Sequence, residues 1–449
     1  MAPPPCGMKP GESVKDRALS FVPQSALTRE RNRAGAESET RVPQVALLTG
    51  GFDPPYTLGL AVELASKGVL LDVIGGDKVE SPELHTTPKL KFLNLRGSCG
   101  QASLASKVWR VWVYYWRLVR YAAVAKPKIF HILWNNKFET FDRTLLMLYY
   151  RLMGKKIVLT AHNVNAERRD SNDSLLNRLT LRAQYLLSDH IFVHTDKMKH
   201  ELMRQFGVQE SIVSVIPFGI NNSVPNTGLT PSQAKQCLGI SHVERTVLFF
   251  GRIRPYKGLE YLAAAFLQLA ANHRAYRLII AGQPLKETEK YWDQIQATIN
   301  RHVSRGQVIQ KIQYIPDEDT ELYFKAADVL VLPYTQIYQS GVLFLAYSFG
   351  LPIIASDVGS FRNDIIEGKT GYLNVPCDAA DSANTIETYF ESDLFKALDR
   401  RRPEIRNHAW AWHSWDLLGE MTRDVTSAAS FSPATAFDSC EKPVSTIGN

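Results

Sequence analysis

VLFFGRIRPYKGLEYLAAAF (residues 247–266) begins as an apolar run, breaks at Gly251, and resumes with Leu259, Leu262, Ala263 and Phe266 spaced along one helical face. A run of Val, Leu and Phe without polar alternation suits a strand covered on both sides. The spacing i, i+3, i+4, i+7 suits an amphipathic helix. Arg252 and Lys257 stand five residues apart in the turn between them. Two cations at a strand-to-helix turn suit a diphosphate, because the helix N-terminus adds free amides and a favourable dipole. A solvated basic surface turn is the plainer alternative.

The same alternation of apolar runs and helical stretches continues in both directions. In the first half the runs lie at 45–50, 71–76, 89–95, 128–134, 156–163, 190–195 and 213–220. In the second half they lie at 246–251, 277–282, 329–334 and 351–356. Strands alternating with helices imply parallel sheets with right-handed crossovers. The expected fold class is α/β, with two Rossmann-like doubly wound parallel-sheet domains, residues 43–222 and 223–408. The segment NNSVPNTGLTPSQ (221–233) is the expected linker. Domains joined there would face each other across a cleft, with ligands beyond the carboxyl ends of the strands.

The flanks read differently. Residues 1–42 are rich in Pro, Ser, Glu and Arg without periodic apolar positions, and residues 428–449 are similar; both are expected as disordered tails. At 449 residues the chain has room for two or three cores, and 45% hydrophobic with 22% charged residues excludes a mostly disordered or coiled-coil protein. Cys6, Cys99, Cys237, Cys377 and Cys440 are odd in number and widely spaced, which reads as reduced thiols of a cytosolic protein, with no zinc site. Neither a signal peptide nor a membrane span is expected. The formal charge is +7, and residues 101–160 carry eleven Lys and Arg against Glu139 and Asp142. That concentration argues for one basic patch and against a general nucleic-acid binder.

Further motifs accompany the opening segment. They are YIPDEDTELYFKAADVLVLPY (314–334), QSGVLFLAYSFGLPIIASDVGS (339–360) and IIEGKTGYL (365–373). A helix starting near Ser340 would offer its N–H groups as a second anion site, and Ser340 is equally suited to a simple N-cap. Together with GRI-x3-KG (251–258), these motifs resemble glycosyltransferase family 4, whose members have the GT-B fold and retain anomeric configuration.

That resemblance implies a role for each matching residue. Arg252 and Lys257, after Gly251, would hold the diphosphate of a UDP or GDP sugar and stabilise it as a leaving group. The backbone at Ser340, Gly341 and Val342 would take the distal phosphate. The stretch around Ile315 would lie along the nucleobase. Gly50 and Gly51 would form the glycine loop before a helix expected from Leu58 to Lys67. His162, in TAHN, would stand near the reacting sugar, although a histidine at a strand end is often structural. The catalytic set is then His162, Arg252 and Lys257, with no metal and no cofactor. A C-terminal helix within 409–427 would return to the first domain, with Trp410, Trp412 and Trp415 as packing residues. One feature departs from the family, which usually carries two glutamates eight apart at the donor sugar. The corresponding positions are Ile337 and Leu345. A polar side chain such as Gln336 or Gln339 would then serve the sugar.

A second signal is KVWRVWVYYWRLVRYAAVAKPK (107–128). On a helix, Trp109, Trp112 and Trp116 share a face, and Arg110, Arg117 and Arg120 fall on an adjoining arc. This fits a helix lying on an anionic membrane surface. A core helix with its tryptophans against the sheet is the other reading. The expected function is a retaining transferase moving a sugar to a lipid-linked or other carbohydrate acceptor at the cytoplasmic membrane face. The rival is a non-catalytic GT-B scaffold or regulatory subunit. No nucleic-acid partner is expected.

Overall fold

The structure, a computed structural model, describes residues 43–97, 103–169, 173–220, 224–272, 275–302 and 306–431. Most of the expected tails, Cys6, Cys99, Cys440 and linker residues 221–223 lie outside these. Seven parallel strands form the first sheet: β1 (Gln44–Leu48), β2 (Leu70–Gly75), β3 (Leu90–Asn94), β4 (Ile129–Ile132), β5 (Lys156–Thr160), β6 (His190–Val193) and β7 (Val213–Val215), in the order β3-β2-β1-β4-β5-β6-β7. Six form the second: β8 (Arg245–Phe250), β9 (Tyr276–Ala281), β10 (Val308–Lys311), β11 (Val329–Leu332), β12 (Ile353–Ser356) and β13 (Gly371–Asn374), in the order β10-β9-β8-β11-β12-β13. Every expected apolar run contains a strand. The two strands without an expected run, β10 and β13, are the edges of the second sheet. Their sequences, VIQK and GYLN, set polar residues and a glycine among the apolar ones, so no continuous apolar run marks them.

Helices cover both faces of each sheet. Helix α1 (Pro54–Ser66) starts four residues before the expected Leu58, because prolines tolerate a first helical turn and Asp53 caps it by accepting from Tyr56 N at 3.1 Å. Its apolar side, with Tyr56, Leu60, Ala61 and Leu64, is buried on the first sheet. Next come α2 (Leu104–Val124), α3 (residues 139–152, with a π-helical turn at Asp142–Leu146), α4 (Leu175–Leu187) and α5 (Asp196–Phe206). The second lobe contributes α6 (Leu259–Asn272), α7 (Asp317–Ala326), α8 (Gly341–Ser348), α9 (Leu398–His413) and α10 (Trp415–Phe431). The expected linker is shorter than its sequence suggests. Thr230 and Gln233 form a reciprocal cap that starts a helix at Pro231–Cys237.

The C-terminal segment is two helices rather than one. The chain breaks at Ser414, whose ψ of 146° is extended. There His413 Nδ1 lies 3.1 Å from Phe218 O and Ile220 N donates to His413 O at 2.9 Å, so the two interlobe crossings run side by side. Beyond the break, α10 packs on α1 of the first lobe and runs to Phe431, four residues into the expected tail. Trp415 fills space left by Gly59 and Gly219; a Cβ on Gly219 would stand 2.5 Å from its ring. Trp410 and Trp412 are exposed, so the expectation that all three tryptophans pack holds only for Trp415.

Candidate active site

A cleft cavity of about 430 Å³ lies between the lobes, lined from the first by Asp53, Tyr56, Trp134 and His162 and from the second by Lys257, Gln339, Ser340, Gly341 and Val342. Strand β8 delivers the chain to Gly251, whose φ of 98° favours glycine. A Cβ there would also stand 3.0 Å from Lys257 Nζ and 3.7 Å from Val342. Gly251, Lys257 and the start of α8 are therefore brought together as expected. Lys257 is buried, its ammonium 5.4 Å from the Tyr334 ring centroid. Ser340 makes no side-chain cap. The simple N-cap alternative is not realised, and the first amides of α8 have no acceptor within the helix.

Several expected donor residues stand elsewhere. Arg252 is exposed and does not line this cavity. Ile315 is buried in the core of the second lobe rather than along the cavity. Gln336 lines a separate interlobe cavity of about 880 Å³ with Arg168, Lys197 and His200, on the other side of the loop 335–340. Gly50 and Gly51 adopt φ of 60° and 75° in a tight turn that backs onto the chain after β4. A Cβ on Gly50 would lie 2.7 Å from the Trp134 and Asn135 carbonyls, and the Arg96 guanidinium donates to Gly50 O. Ile337 and Leu345 both line the cavity as buried apolar side chains.

His162 sits in an aromatic frame. Its ring stacks on Trp134 at 4.2 Å between centroids and 6° between planes, with Tyr56 edge-on at 4.9 Å. Its Nδ1 is 2.9 Å from His194 Nε2, and His194 Nδ1 is 3.3 Å from Ile216 O. Burial holds the His162 imidazole well below its ordinary pKa, with His194 adding to the effect, and burial takes His194 to about 4. Both rings are therefore neutral at pH 7. Assigning protons along the chain, His194 Nδ1–H donates to Ile216 O and accepts at Nε2 from His162 Nδ1–H. That leaves His162 Nε2 as a bare acceptor without a protein partner among the described residues. Asp53 shares the cavity; burial raises its pKa, and Asp317 at the start of α7 raises it further.

The sequence reading missed Asp53, Tyr56, Trp134, His194 and Trp415 as cavity or frame residues. His194 had a usable signal. Strands β5 and β6 pair in register with Thr160 opposite Phe192. Continued two residues, that register sets the histidine of TAHN beside the histidine of FVHT. Among the described residues no three His, Cys, Asp or Glu side chains form a metal-ligand group.

The outer face of the first lobe carries the Trp helix. Trp109, Trp112 and Trp116 are 66%, 69% and 53% exposed, while Tyr114, Leu118 and Ala122 face the core. The core reading of the tryptophans is therefore overturned. The Arg120 guanidinium lies 5.5 Å from the Trp116 ring centroid. The neighbouring α3, whose Tyr149 Oη donates to Val119 O at 3.1 Å, exposes Leu145, Leu148 and Leu152, and α4 exposes Leu175, Leu176, Leu179 and Leu186. Among the described residues no helix is long and apolar enough to cross a membrane.

Two parallel-sheet lobes with a buried lysine and an open helix N-terminus across a cleft from a neutral histidine define a GT-B protein. Residues 55–224 match the family model Glycosyltransferase Family 4, and residues 244–392 match Glycosyl transferases group 1. Both halves of the chain therefore match glycosyltransferase family models, which supports a glycosyltransferase of the family 4, GT-B type. Curated relatives include D-inositol 3-phosphate glycosyltransferases of Corynebacterium diphtheriae, 26% identical over 53% of this chain and 57% of the relative, and of Nocardia farcinica, 26% identical over 61% of each. The chain thus spans about three fifths of the length of these relatives. Among solved structures, sucrose-phosphate synthase from Thermosynechococcus elongatus shares the fold at a TM-score of 0.69 and 19% identity, covering 86% of this chain and 99% of that one. Anabaena HepE in complex with UDP shares it at 0.67 and 17%, covering 86% and 100%.

Proposed function

We propose that the protein transfers a sugar, with retention, from a UDP or GDP sugar to a carbohydrate acceptor carried on a lipid at the cytoplasmic membrane face. The observation that carries the transferase reading is the pairing of buried Lys257 with the open amides of α8 at the end of β8. Cation and amides would stabilise the diphosphate as it departs, and they are preorganised in a partly desolvated cleft where such charge stabilisation is strongest. The acceptor oxygen attacks C1 on the face the diphosphate leaves. The C1–O bond to the β-phosphate breaks, and that phosphate takes the acceptor's proton, so no protein nucleophile is required. His162 Nε2, as a bare acceptor, holds a hydroxyl of the donor sugar and fixes its orientation. Support for the donor class comes from HepE, which is described with UDP and with UDP-glucose. Support for the lipid acceptor comes from the exposed tryptophans in a strongly basic segment of the chain, and from the exposed leucines of neighbouring helices.

A second reading, a non-catalytic scaffold, is favoured by one feature: apolar Ile337 and Leu345 line the cavity. Release of free UDP or GDP from nucleotide sugars separates the two. In the transferase, Lys257→Ala lowers turnover by about 10²–10³-fold, with thermal unfolding unchanged. Unaltered turnover in that variant removes Lys257 from the mechanism. Nucleotide binding without any release in the wild type establishes the scaffold.

A further inference from the structure

We infer that a second cavity, remote in character from the cleft, takes one hydrocarbon chain of an anionic membrane lipid. It is a groove of about 610 Å³ between α2 and residues 137–141. Its walls are Val111, Tyr115 and Val119 on one side and Phe138 and Phe141 on the other, with Trp112 and Trp116 at the rim. A sugar or nucleotide site needs convergent polar groups, and these walls supply almost none. Two cations, Lys107 and Lys137, also line it, and both are exposed. A hydrocarbon wall with ammonium groups at hand matches an amphiphile with an apolar tail and a negative head. The inference rests on the membrane docking proposed above, and the groove is continuous with that docking face through the exposed Trp112 and Trp116.

The groove is built rather than incidental. Asp142 is buried behind it and accepts from Tyr115 Oη at 2.9 Å and from Asn136 N at 2.7 Å. Tyr114 Oη donates to Asn136 Oδ1 at 2.6 Å. These bonds pin the chain after β4 onto α2 and hold the two walls apart at a fixed width. The same chain segment reaches the cleft, since Trp134 lines the catalytic cavity and Phe138 lines the groove. Four residues span at most about 14 Å. A lipid whose tail lies in the groove therefore presents its headgroup within reach of the cleft mouth, where a lipid-linked acceptor has to be presented.

The test uses the full chain with phosphatidylcholine vesicles containing phosphatidylglycerol, part of it carrying a diazirine at the end of one acyl chain. After photolysis, cross-links in the wild type are expected on Val111, Val119 and Phe138. Filling the groove with Val111→Trp, or independently with Val119→Trp, excludes several methylenes and is expected to lower cross-linking roughly tenfold, while co-sedimentation with the vesicles persists. Cross-links confined to the outer ridge at Trp109, which does not line the groove, or undiminished in folded filled variants, overturn the groove and leave docking standing. Absence of wild-type co-sedimentation overturns docking itself and the groove with it. Should both filled variants unfold, the wild-type cross-link map alone decides between groove and ridge.

Discussion

Leu345 stands where the family resemblance leads one to expect a glutamate. It is 7% exposed, lies on α8 among the core residues of the second lobe, and still lines the cleft. Phe344 beside it stacks on Phe218 at 5.5 Å and meets the tilted His413 ring at 4.3 Å, so the helix is packed against the interlobe crossing. A carboxylate inserted here is withdrawn from water, and burying it costs several kcal/mol or forces it to take up a proton. Leu345→Glu is therefore expected to destabilise the fold, of order 3 kcal/mol by denaturant unfolding, and to leave nucleotide-sugar affinity no better. Calorimetric titration checks the second half. A clear gain in affinity would show that the pocket never repacked and would favour the scaffold reading. Gln339, whose Oε1 is buried without a partner among the described residues and which lines the cavity, is the polar group we propose for the sugar instead.

Helix α2 shows what an amphipathic pattern does when its apolar side is wider than the sheet can cover. Ser103 caps its start by accepting from Ser106 N at 3.3 Å, and Tyr114, Leu118 and Ala122 bury the inner side. Tyr121 adds a polar tie, donating to Asp72 at 2.7 Å. The tryptophans occupy the opposite side, next to Arg117 and Arg120. Burying that side against a membrane recovers apolar area, and the arginines add an attraction that salt screens. Changing Arg117 and Arg120 to Gln is expected to weaken co-sedimentation with phosphatidylglycerol vesicles by roughly thirtyfold, at about 1 kcal/mol per basic residue. Binding that is equal on neutral and anionic vesicles would remove charge from the docking account.

The two lobes are joined by chain crossings, and each has its own hydrophobic core. Helix α10 leaves the second lobe at Ser414 and docks on α1, with Trp415 edge-on to Tyr56 at 5.4 Å. Lys67 clamps the same junction through Asp416 at 2.7 Å, an exposed bond of small energetic weight. Trp415→Ala leaves Gly59 and Gly219 facing a void, since neither has a side chain to fill it. The expected loss is about 3 kcal/mol, with faster proteolysis between the lobes. Trp410→Ala and Trp412→Ala, at exposed positions, are expected to change stability by no more than about 0.5 kcal/mol. Equal losses at all three positions would contradict this arrangement. Tyr338 adds a contact in the other direction, from the loop beside the cavity to Glu201 of the first lobe at 3.1 Å.

Repeated strand and helix periodicity was enough to determine two doubly wound sheets, because parallel strands covered on both faces write uninterrupted apolar runs. The edges β10 and β13 escaped because polar residues and a glycine interrupt theirs. Local chemistry at a strand end was equally legible: Gly251, Lys257 and Ser340 to Val342 lie close in sequence to the turns that position them, and the fold brings them together. Residues whose role depends on distant partners were not legible. His194 acts through strand register, Trp134 through the turn after β4, and Trp415 through a break at Ser414 that no proline or glycine announces. Gln336 and Gln339 are three residues apart, and the path of one loop sends them to different cavities. The same limit applies to the tryptophans of α2. Their shared face follows from helical spacing, but whether that face meets the sheet or the solvent depends on how the helix is rolled about its axis, and only packing against Asp72, Phe130 and Asn136 sets that.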